Sequence, residues 1–319
     1  MTIWSFLKLV EIQTKVASMI PFFLGTVYTL YRFQSFNLKN FIILFISLIT
    51  VDMGTTAINN YMDYRKAVKK HGYNYEEHNA VVNYNLKESV VIATIVILFL
   101  LAIGFGFLLY INTNFIVLVL GAISFGASVL YSYGPIPISH MPLGEIFSGL
   151  FMGFIIVFIS IFVHVYDSNI VFYTFSNGVL NVGLNIVELI YIFLLCIPAI
   201  AGIANIMLAN NICDMDDDIV NERYTLPIFI GKEKALSLFR TLYIIAYIDV
   251  ILLIILKVIP IASAISLLTF IPVSKNIKMF FEKQSKKDTF VFAVKNFVML
   301  NIVQVLTIGI GVVIKSFFS

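Results

Sequence analysis

The sequence predicts an all-α polytopic membrane protein with about nine transmembrane helices. Of the 319 residues, 60% are hydrophobic and only 12% are charged, which is typical of membrane proteins and excludes an ordinary soluble domain. Apolar stretches long enough to cross a bilayer recur along the whole chain, and the longest polar stretch between them has about 25 residues. We therefore expect residues 1–319 to form a single transmembrane domain in a lipid bilayer.

Nine apolar stretches are candidates for membrane-spanning helices, and the eighth is the shortest. They fall at about residues 12–31, 40–58, 89–111, 114–132, 143–166, 186–209, 235–256, 258–274 and 291–314. The first carries Glu11 and Lys15 at its start and lacks a small-residue cleavage site. These features favour a retained helix over a cleaved signal peptide.

Lysine and arginine residues are distributed unevenly between the loops. If the N-terminus is cytoplasmic, the cytoplasmic pieces hold fourteen of these residues and the outer pieces hold four. Because cytoplasmic loops carry an excess of basic residues, we predict a plasma-membrane protein with its N-terminus inside and its C-terminus outside. This topology accounts for the net charge of +3, so the charge indicates no nucleic-acid partner. The two cysteines indicate neither a disulfide framework nor a metal site.

The second span ends in a group of side chains that carry oxygen atoms. Asn59 and Asp63 are one helical turn apart, so they would present two oxygen ligands on one face at the cytoplasmic end. Asp52 lies within about 20° of both on that face and about 16 Å deeper than Asp63. An ionisable residue at such depth normally faces a cavity or a partner. Asp52 is therefore a candidate for contact with a substrate or for hydrogen bonding to a neighbouring helix.

A second acidic group follows the sixth span, where four of the eighteen carboxylates lie within residues 214–218. In a helix, Asp214 and Asp218 would share a face, and Asp216 would point about 160° away from Asp214. A solvated acidic loop is the alternative interpretation. However, both groups have Asn before Asp, and four spans separate them, as expected for two four-helix repeats followed by one helix. Since Mg²⁺ typically links one or two carboxylates to substrate phosphates, the two groups predict a diphosphate held through Mg²⁺.

Other polar residues near these groups allow two interpretations each. Lys15 is four residues from Glu11, so it could form a local ion pair or reach toward a phosphate. Tyr131 and Tyr133 open a proline-rich connection between the fourth and fifth spans, where they could line a site entrance or belong to the interfacial aromatic belt. The basic residues of 275–287 are explained by topology alone.

A proton-coupled transporter is the alternative from another functional class. Asp52 and Asp249 both lie within apolar spans and could serve a proton relay. However, both acidic groups are predicted at one membrane face, whereas a transporter site is expected near the midplane.

With these motifs, nearly the whole chain resembles the UbiA-type intramembrane aromatic prenyltransferases, and within them the bacterial 1,4-dihydroxy-2-naphthoate prenyltransferases of menaquinone synthesis. The first family motif matches at Asn59 and Asp63, and Asn60 and Ala67 stand where the family has Asp. The second motif matches at Asn211, Asp214, Asp218, Thr225 and Leu226, and it departs at Cys213, Glu222 and Arg223. The departures in the first motif leave its metal site with fewer carboxylates, and the number of metal ions stays open.

The resemblance implies a helical bundle around a central cavity that transfers a polyprenyl group from polyprenyl diphosphate to an aromatic acceptor. The implied acceptor is 1,4-dihydroxy-2-naphthoate, with a hydroxybenzoate or haem-type acceptor as the alternative. Mg²⁺ is the implied cofactor. Its expected ligands are Asn59, Asp63, Asp214 and Asp218. The expected catalytic residues are Asp52, Asp63, Asp214 and Asp218. Substrate contacts are expected from Asn59, Asn60, Lys15, Tyr131, Tyr133, Asn211 and Arg223.

Overall fold

The computed structural model of the chain describes residues 1–66, 79–132, 138–220 and 222–318, and helices dominate this part. The helices are α1 (Ile3–Leu9), α2 (Val16–Phe33), α3 (Leu38–Lys66), α4 (Ala80–Asn83), α5 (Glu88–Ile111), α6 (Phe115–Ser132), α7 (Gly144–Phe162), α8 (Ile186–Cys213), α9 (Met215–Val220), α10 (Leu226–Ile230), α11 (Lys232–Ile255), α12 (Phe270–Glu282) and α13 (Val291–Phe318). Short 3₁₀ helices cover Ile12–Lys15, Ile138–His140 and Ile261–Thr269.

The predicted polytopic helical fold is confirmed. Within the described residues, seven helical segments are long and apolar enough to cross a membrane. The two remaining predicted spans are occupied by α2 and α6, each of 18 residues. The protein is therefore a multi-pass membrane protein.

The eighth span differs from its predicted bounds. It begins as the 3₁₀ helix Ile261–Thr269 and continues as α12 to Glu282, whereas the apolar stretch predicts residues 258–274. Pro272 has no backbone N–H to donate to the carbonyl of Leu268, so one α-helical hydrogen bond is missing where the 3₁₀ helix meets α12. Polar residues follow in the second half of α12, which is why hydropathy ends the span too early.

A β-hairpin interrupts the helical pattern between α7 and α8. Its strands, β1 (Val171–Ser176) and β2 (Val179–Leu184), pair antiparallel with Ser176 opposite Val179. The connecting residues Asn177 and Gly178 both have positive φ, at 51° and 77°. Asn-Gly is the sequence preferred for a two-residue type I′ turn. The hairpin was not among the elements expected from the sequence, although Asn-Gly was an available signal for it.

The described chain divides into two compact units. The first unit comprises residues 1–19 and 39–135, and its core joins α1, α3, α4 and α5 through residues such as Leu9, Ala57, Val81 and Val91. The second unit comprises residues 20–38 and 136–319. Its core is drawn mainly from α8, α11, α12 and α13, and includes Leu208, Phe239, Tyr243, Phe280 and Leu300. The first motif belongs to the first unit and the second motif to the second unit.

Close packing of α7 on α8 positions part of the second motif. A Cβ atom on Gly153 would lie 2.6 Å from the backbone N and Cα of Ile200, so only glycine allows the two helices to approach so closely. This contact fixes α7 along α8, and the start of α7 carries Glu145 to the buried side chain of Asn211.

Candidate active site

Asp52 in α3 is engaged by the segment that precedes and begins α2. The Nζ atom of Lys15 lies 2.6 Å from Oδ1 of Asp52 and also donates to Oγ1 of Thr56 at 2.6 Å. The hydroxyl of Ser18 donates to the other carboxylate oxygen of Asp52. Lys15 thus pairs with Asp52 and not with Glu11. Of the two interpretations of Asp52, these contacts favour hydrogen bonding to a neighbouring segment.

Asn60 is buried and ties α3 to the N-terminal segment. Its Nδ2 atom donates to the carbonyl of Leu9 at 3.0 Å and to Oε1 of Glu11 at 3.2 Å. The carbonyl of Asn60 in turn accepts a hydrogen bond from Asn79. Glu11 has a φ of 47°, and this turn brings its carboxylate to Asn60. A carboxylate therefore lies beside the position where the family motif has Asp.

The remaining residues of the first motif lie near the end of α3. Asn59 is half-buried and Asp63 is exposed, and the unbroken helix from Leu38 to Lys66 keeps them one turn apart. Glu88 at the start of α5 accepts from Tyr61 and Arg65, each at 3.2 Å. These contacts attach the end of α3 to α5 and so position the motif.

The second motif begins in the last turn of α8, where Asn211 is 2% exposed. Its Nδ2 atom donates to Oε1 of Glu145 at 2.8 Å. Glu145 is 4% exposed, and its second oxygen has no hydrogen-bond partner among the described residues. Glu145 was not among the site residues expected from the sequence.

Asp214 ends α8 and faces a lysine from a distant loop. Its N–H donates to the carbonyl of Asn210 at 3.1 Å, and its Oδ2 accepts from Nδ2 of Asn210 at 3.2 Å. The Nζ atom of Lys286 contacts Oδ1 of Asn210 at 2.5 Å and also donates to Oδ2 of Asp214. Asn210 and Asp214 thus each offer one oxygen atom to a cationic group. The prediction that topology alone explains the loop of Lys286 was incomplete.

Asp218 lies on the short helix α9 and is 6% exposed. Oγ1 of Thr225 donates to Oδ2 of Asp218 at 3.3 Å, and the N–H of Arg223 donates to its carbonyl at 2.8 Å. Burial raises the pKa of Asp218 to about 6, and the positive charge of Arg223 opposes this rise. Asp216 and Asp217 are exposed, as the helical periodicity predicts for Asp216.

The donor set of the second motif fits a hard divalent cation. Within the described residues, no group of three His, Cys, Asp or Glu side chains is close enough to hold a metal ion. Mg²⁺ does not require such a group, because it commonly uses one or two carboxylates together with substrate phosphates and water. The oxygens of Asn210 and Asp214 already accept a cation in the form of the Lys286 ammonium. Asp218 adds a second carboxylate close enough to interact electrostatically with Asp214.

The structure describes one of the two tyrosines that were expected to contact substrate. Tyr131 is half-buried at the end of α6, and Tyr133 lies outside the described residues. Three residues of the site were not assigned from the sequence, namely Glu145, Asn210 and Lys286. A glutamate at the start of an apolar span was an available sequence signal for Glu145, whereas Lys286 is 72 residues from Asp214 and gave none.

The fold and these motifs define a polytopic membrane protein with carboxylate groups beside the ends of two helices. Residues 18–302 match the UbiA prenyltransferase family, so the chain belongs to this family and is a membrane prenyltransferase. The predicted resemblance is confirmed, and the transporter alternative is wrong. The chain is 26% identical over 248 residues to the 1,4-dihydroxy-2-naphthoate octaprenyltransferase of Bacillus subtilis (strain 168). That alignment covers 78% of this chain and 73% of the relative.

Solved structures with a similar fold include two UbiA homologs. The apo structure of a UbiA homolog from Aeropyrum pernix K1 matches with a TM-score of 0.68 and 17% identity, covering 95% of this chain and 98% of that chain. A UbiA homolog from Archaeoglobus fulgidus bound to GPP and Mg²⁺ matches with a TM-score of 0.66 and 13% identity. The match covers 98% of this chain and 99% of that chain. At these identities the likeness establishes the fold alone.

Proposed function

We propose that this prenyltransferase transfers a polyprenyl group from polyprenyl diphosphate to 1,4-dihydroxy-2-naphthoate, with Mg²⁺ as its cofactor, to give a demethylmenaquinone precursor. The naphthoate octaprenyltransferase relative supports the acceptor, and the Archaeoglobus fulgidus homolog bound to GPP and Mg²⁺ supports the diphosphate and the metal. The observation that carries the proposal is the cation-accepting oxygen cluster of Asn210 and Asp214. The proposed catalytic domain is the whole chain, residues 1–319.

Residues of both motifs have distinct tasks in this proposal. Asn210, Asp214 and Asp218 would hold the metal in the second motif, and Asn59 and Asp63 are the proposed ligands of the first. Mg²⁺, when bound, would neutralise charge on the diphosphate as it leaves. Arg223 supplies a positive charge near Asp218, and a basic side chain there favours the charged leaving group.

The reaction breaks the C–O bond between the allylic carbon and the diphosphate, which keeps the electron pair. A carbon of the electron-rich ring then forms the new C–C bond, and the naphthoate carboxyl group leaves as CO₂. The aromatic face of Tyr131 is a proposed partner of the allylic cation. Apolar helices around the chemistry exclude water and accept the isoprenoid tail.

The proposal includes the location of the reaction. The basic-residue bias of fourteen to four supports a plasma-membrane enzyme with a cytoplasmic N-terminus and an outer C-terminus. Both motifs then face the cytoplasm, from which a water-soluble aromatic acid and free Mg²⁺ are accessible.

The decisive experiment supplies membranes containing the protein with a labelled polyprenyl diphosphate and one candidate acceptor at a time. We expect a decarboxylated, prenylated naphthalene product by mass with 1,4-dihydroxy-2-naphthoate, and none after chelation until Mg²⁺ is restored. Asp214→Ala should abolish the product, and the exposed Asp216→Ala serves as the matched control. A product only with a hydroxybenzoate or haem-type acceptor would reassign the acceptor. Full turnover without any divalent cation would contradict the metal-dependent mechanism.

A further inference from the structure

Lys286 places its ammonium group against oxygen atoms of the second motif. It belongs to the turn between α12 and α13, and its ammonium group contacts one oxygen each of Asn210 and Asp214. Because Asn210 Nδ2 also donates to the same Asp214 oxygen, all three side chains form one compact group. Carboxylate and amide oxygens are the ligands that Mg²⁺ takes, so the ammonium and a metal ion compete for the same atoms.

The turn that carries Lys286 is held by its own hydrogen bonds. Oγ1 of Thr289 accepts from the N–H of Ser285 at 2.9 Å and donates to the carbonyl of Lys283 at 2.9 Å. Lys283 pairs with Asp288 at 2.5 Å. These bonds hold the shape of the turn, so only the flexible side chain of Lys286 needs to move.

The contact between Lys286 and Asp214 is suited to exchange. The side chains are 51% and 25% exposed, and exposed ion pairs contribute little to stability. A lysine ammonium is a compact, hydrated charge on a flexible stem, so it can leave Asp214 for another anion within reach. Diphosphate is such an anion, since lysine commonly binds phosphate as a point charge.

We propose that Lys286 neutralises Asp214 when no metal is bound and transfers to the diphosphate when the metal takes its place. This proposal rests on the proposed function of the second motif. It makes metal and diphosphate binding cooperative, because the metal alone must displace the ammonium, whereas the diphosphate gives that ammonium a new partner. By thermodynamic reciprocity each ligand raises the affinity for the other by the same factor.

The test measures Mn²⁺ binding to the purified full-length chain in nanodiscs by electron paramagnetic resonance. Titrations are made with and without inorganic pyrophosphate, and they are corrected for the Mn²⁺–pyrophosphate complex in solution. In Lys286→Gln we expect the affinity for Mn²⁺ alone to be at least about fivefold higher than in the wild type. The increase in Mn²⁺ affinity that pyrophosphate causes should shrink by a similar factor.

Lys287→Gln is the matched control, since it removes the same charge from the next exposed position of the turn. Equal effects in both variants would overturn the proposal, because a general loss of positive field would then explain the change. An unchanged Mn²⁺ affinity in Lys286→Gln would also overturn it. Either of these two results would leave the proposed prenyl transfer by the wild type untouched. The proposed function itself would be contradicted by a wild-type protein that binds no Mn²⁺ and transfers no prenyl group.

Discussion

The ammonium group of Lys15 lies 2.6 Å from the carboxylate of Asp52, and their side chains are only 4% and 16% exposed. The ammonium also contacts the Asp52 carbonyl at 3.2 Å and the Thr56 hydroxyl. This group therefore fastens the start of α2 to the middle of α3. Removing one partner of a buried pair leaves an uncompensated charge, which is far more costly than losing the pair as a whole.

Asp52→Asn should therefore destabilise the protein by about 3–5 kcal/mol, because the Lys15 ammonium stays buried without its carboxylate. The measurement is the thermal midpoint of the purified protein, with turnover expressed per folded molecule. The double variant Lys15→Met, Asp52→Asn should recover part of the midpoint, since the orphaned charge is gone. A loss of turnover with an unchanged midpoint would instead support a direct catalytic role of Asp52.

Long-range pairs of this kind explain what the sequence could and could not predict. Helix positions follow from local hydropathy, and the spacing of Asn59 and Asp63 follows from helix periodicity, so both were accessible. The partner of Lys15 is 37 residues away in sequence, and only the packing of the helices brings the two together. Lys286 was missed for the same reason, because a basic loop residue near Asp214 in space has no sequence signature.

Gly153→Ala should destabilise the packing of α7 on α8. The added methyl would lie 2.6 Å from the backbone of Ile200, and backbone atoms cannot move aside as a flexible side chain can. Overpacking of this kind costs about 1–3 kcal/mol, which should appear as a lower thermal midpoint. Gly121→Ala in α6 is the control, because no atom lies within 4 Å of the added methyl. Equal midpoints for the two variants would refute the close approach.

If Asp214 and Asp218 are the metal ligands proposed above, Asp214→Ala and Asp218→Ala should each lower prenyl transfer more than about 100-fold. Losing a ligand costs more than losing an outer partner of a metal site. Asp216→Ala should change the rate little, because its side chain is exposed and residues two positions apart on a helix lie on different faces. All three proteins should accumulate in membranes, which an immunoblot checks. A rate for Asp216→Ala as low as for its neighbours would show that the exposed face of α9 takes part in the reaction.

The membrane orientation can be read by labelling single cysteines in a Cys213→Ser background, in which the remaining Cys196 is buried. Lys287→Cys in the turn before α13 should react with an impermeant maleimide only from the cytoplasm. Asn177→Cys at the tip of the β-hairpin should react only from outside. Both positions are exposed, so accessibility to the reagent is matched. Labelling of the two positions from the same side would overturn the topology derived from the basic-residue bias.

Metal binding should weaken as the pH falls through the pKa of Asp218, which burial raises to about 6. A raised carboxyl pKa means that the proton is held at mildly acidic pH, and a carboxylate ligand must lose its proton before it binds a cation. At pH 5, one unit below this pKa, proton competition should weaken Mn²⁺ binding by about tenfold relative to pH 7.5. Asp218→Asn should bind Mn²⁺ more weakly at neutral pH and lose this dependence between pH 5 and 7. If the variant keeps the full pH dependence, another carboxylate controls the site, and Asp218 does not bind the metal.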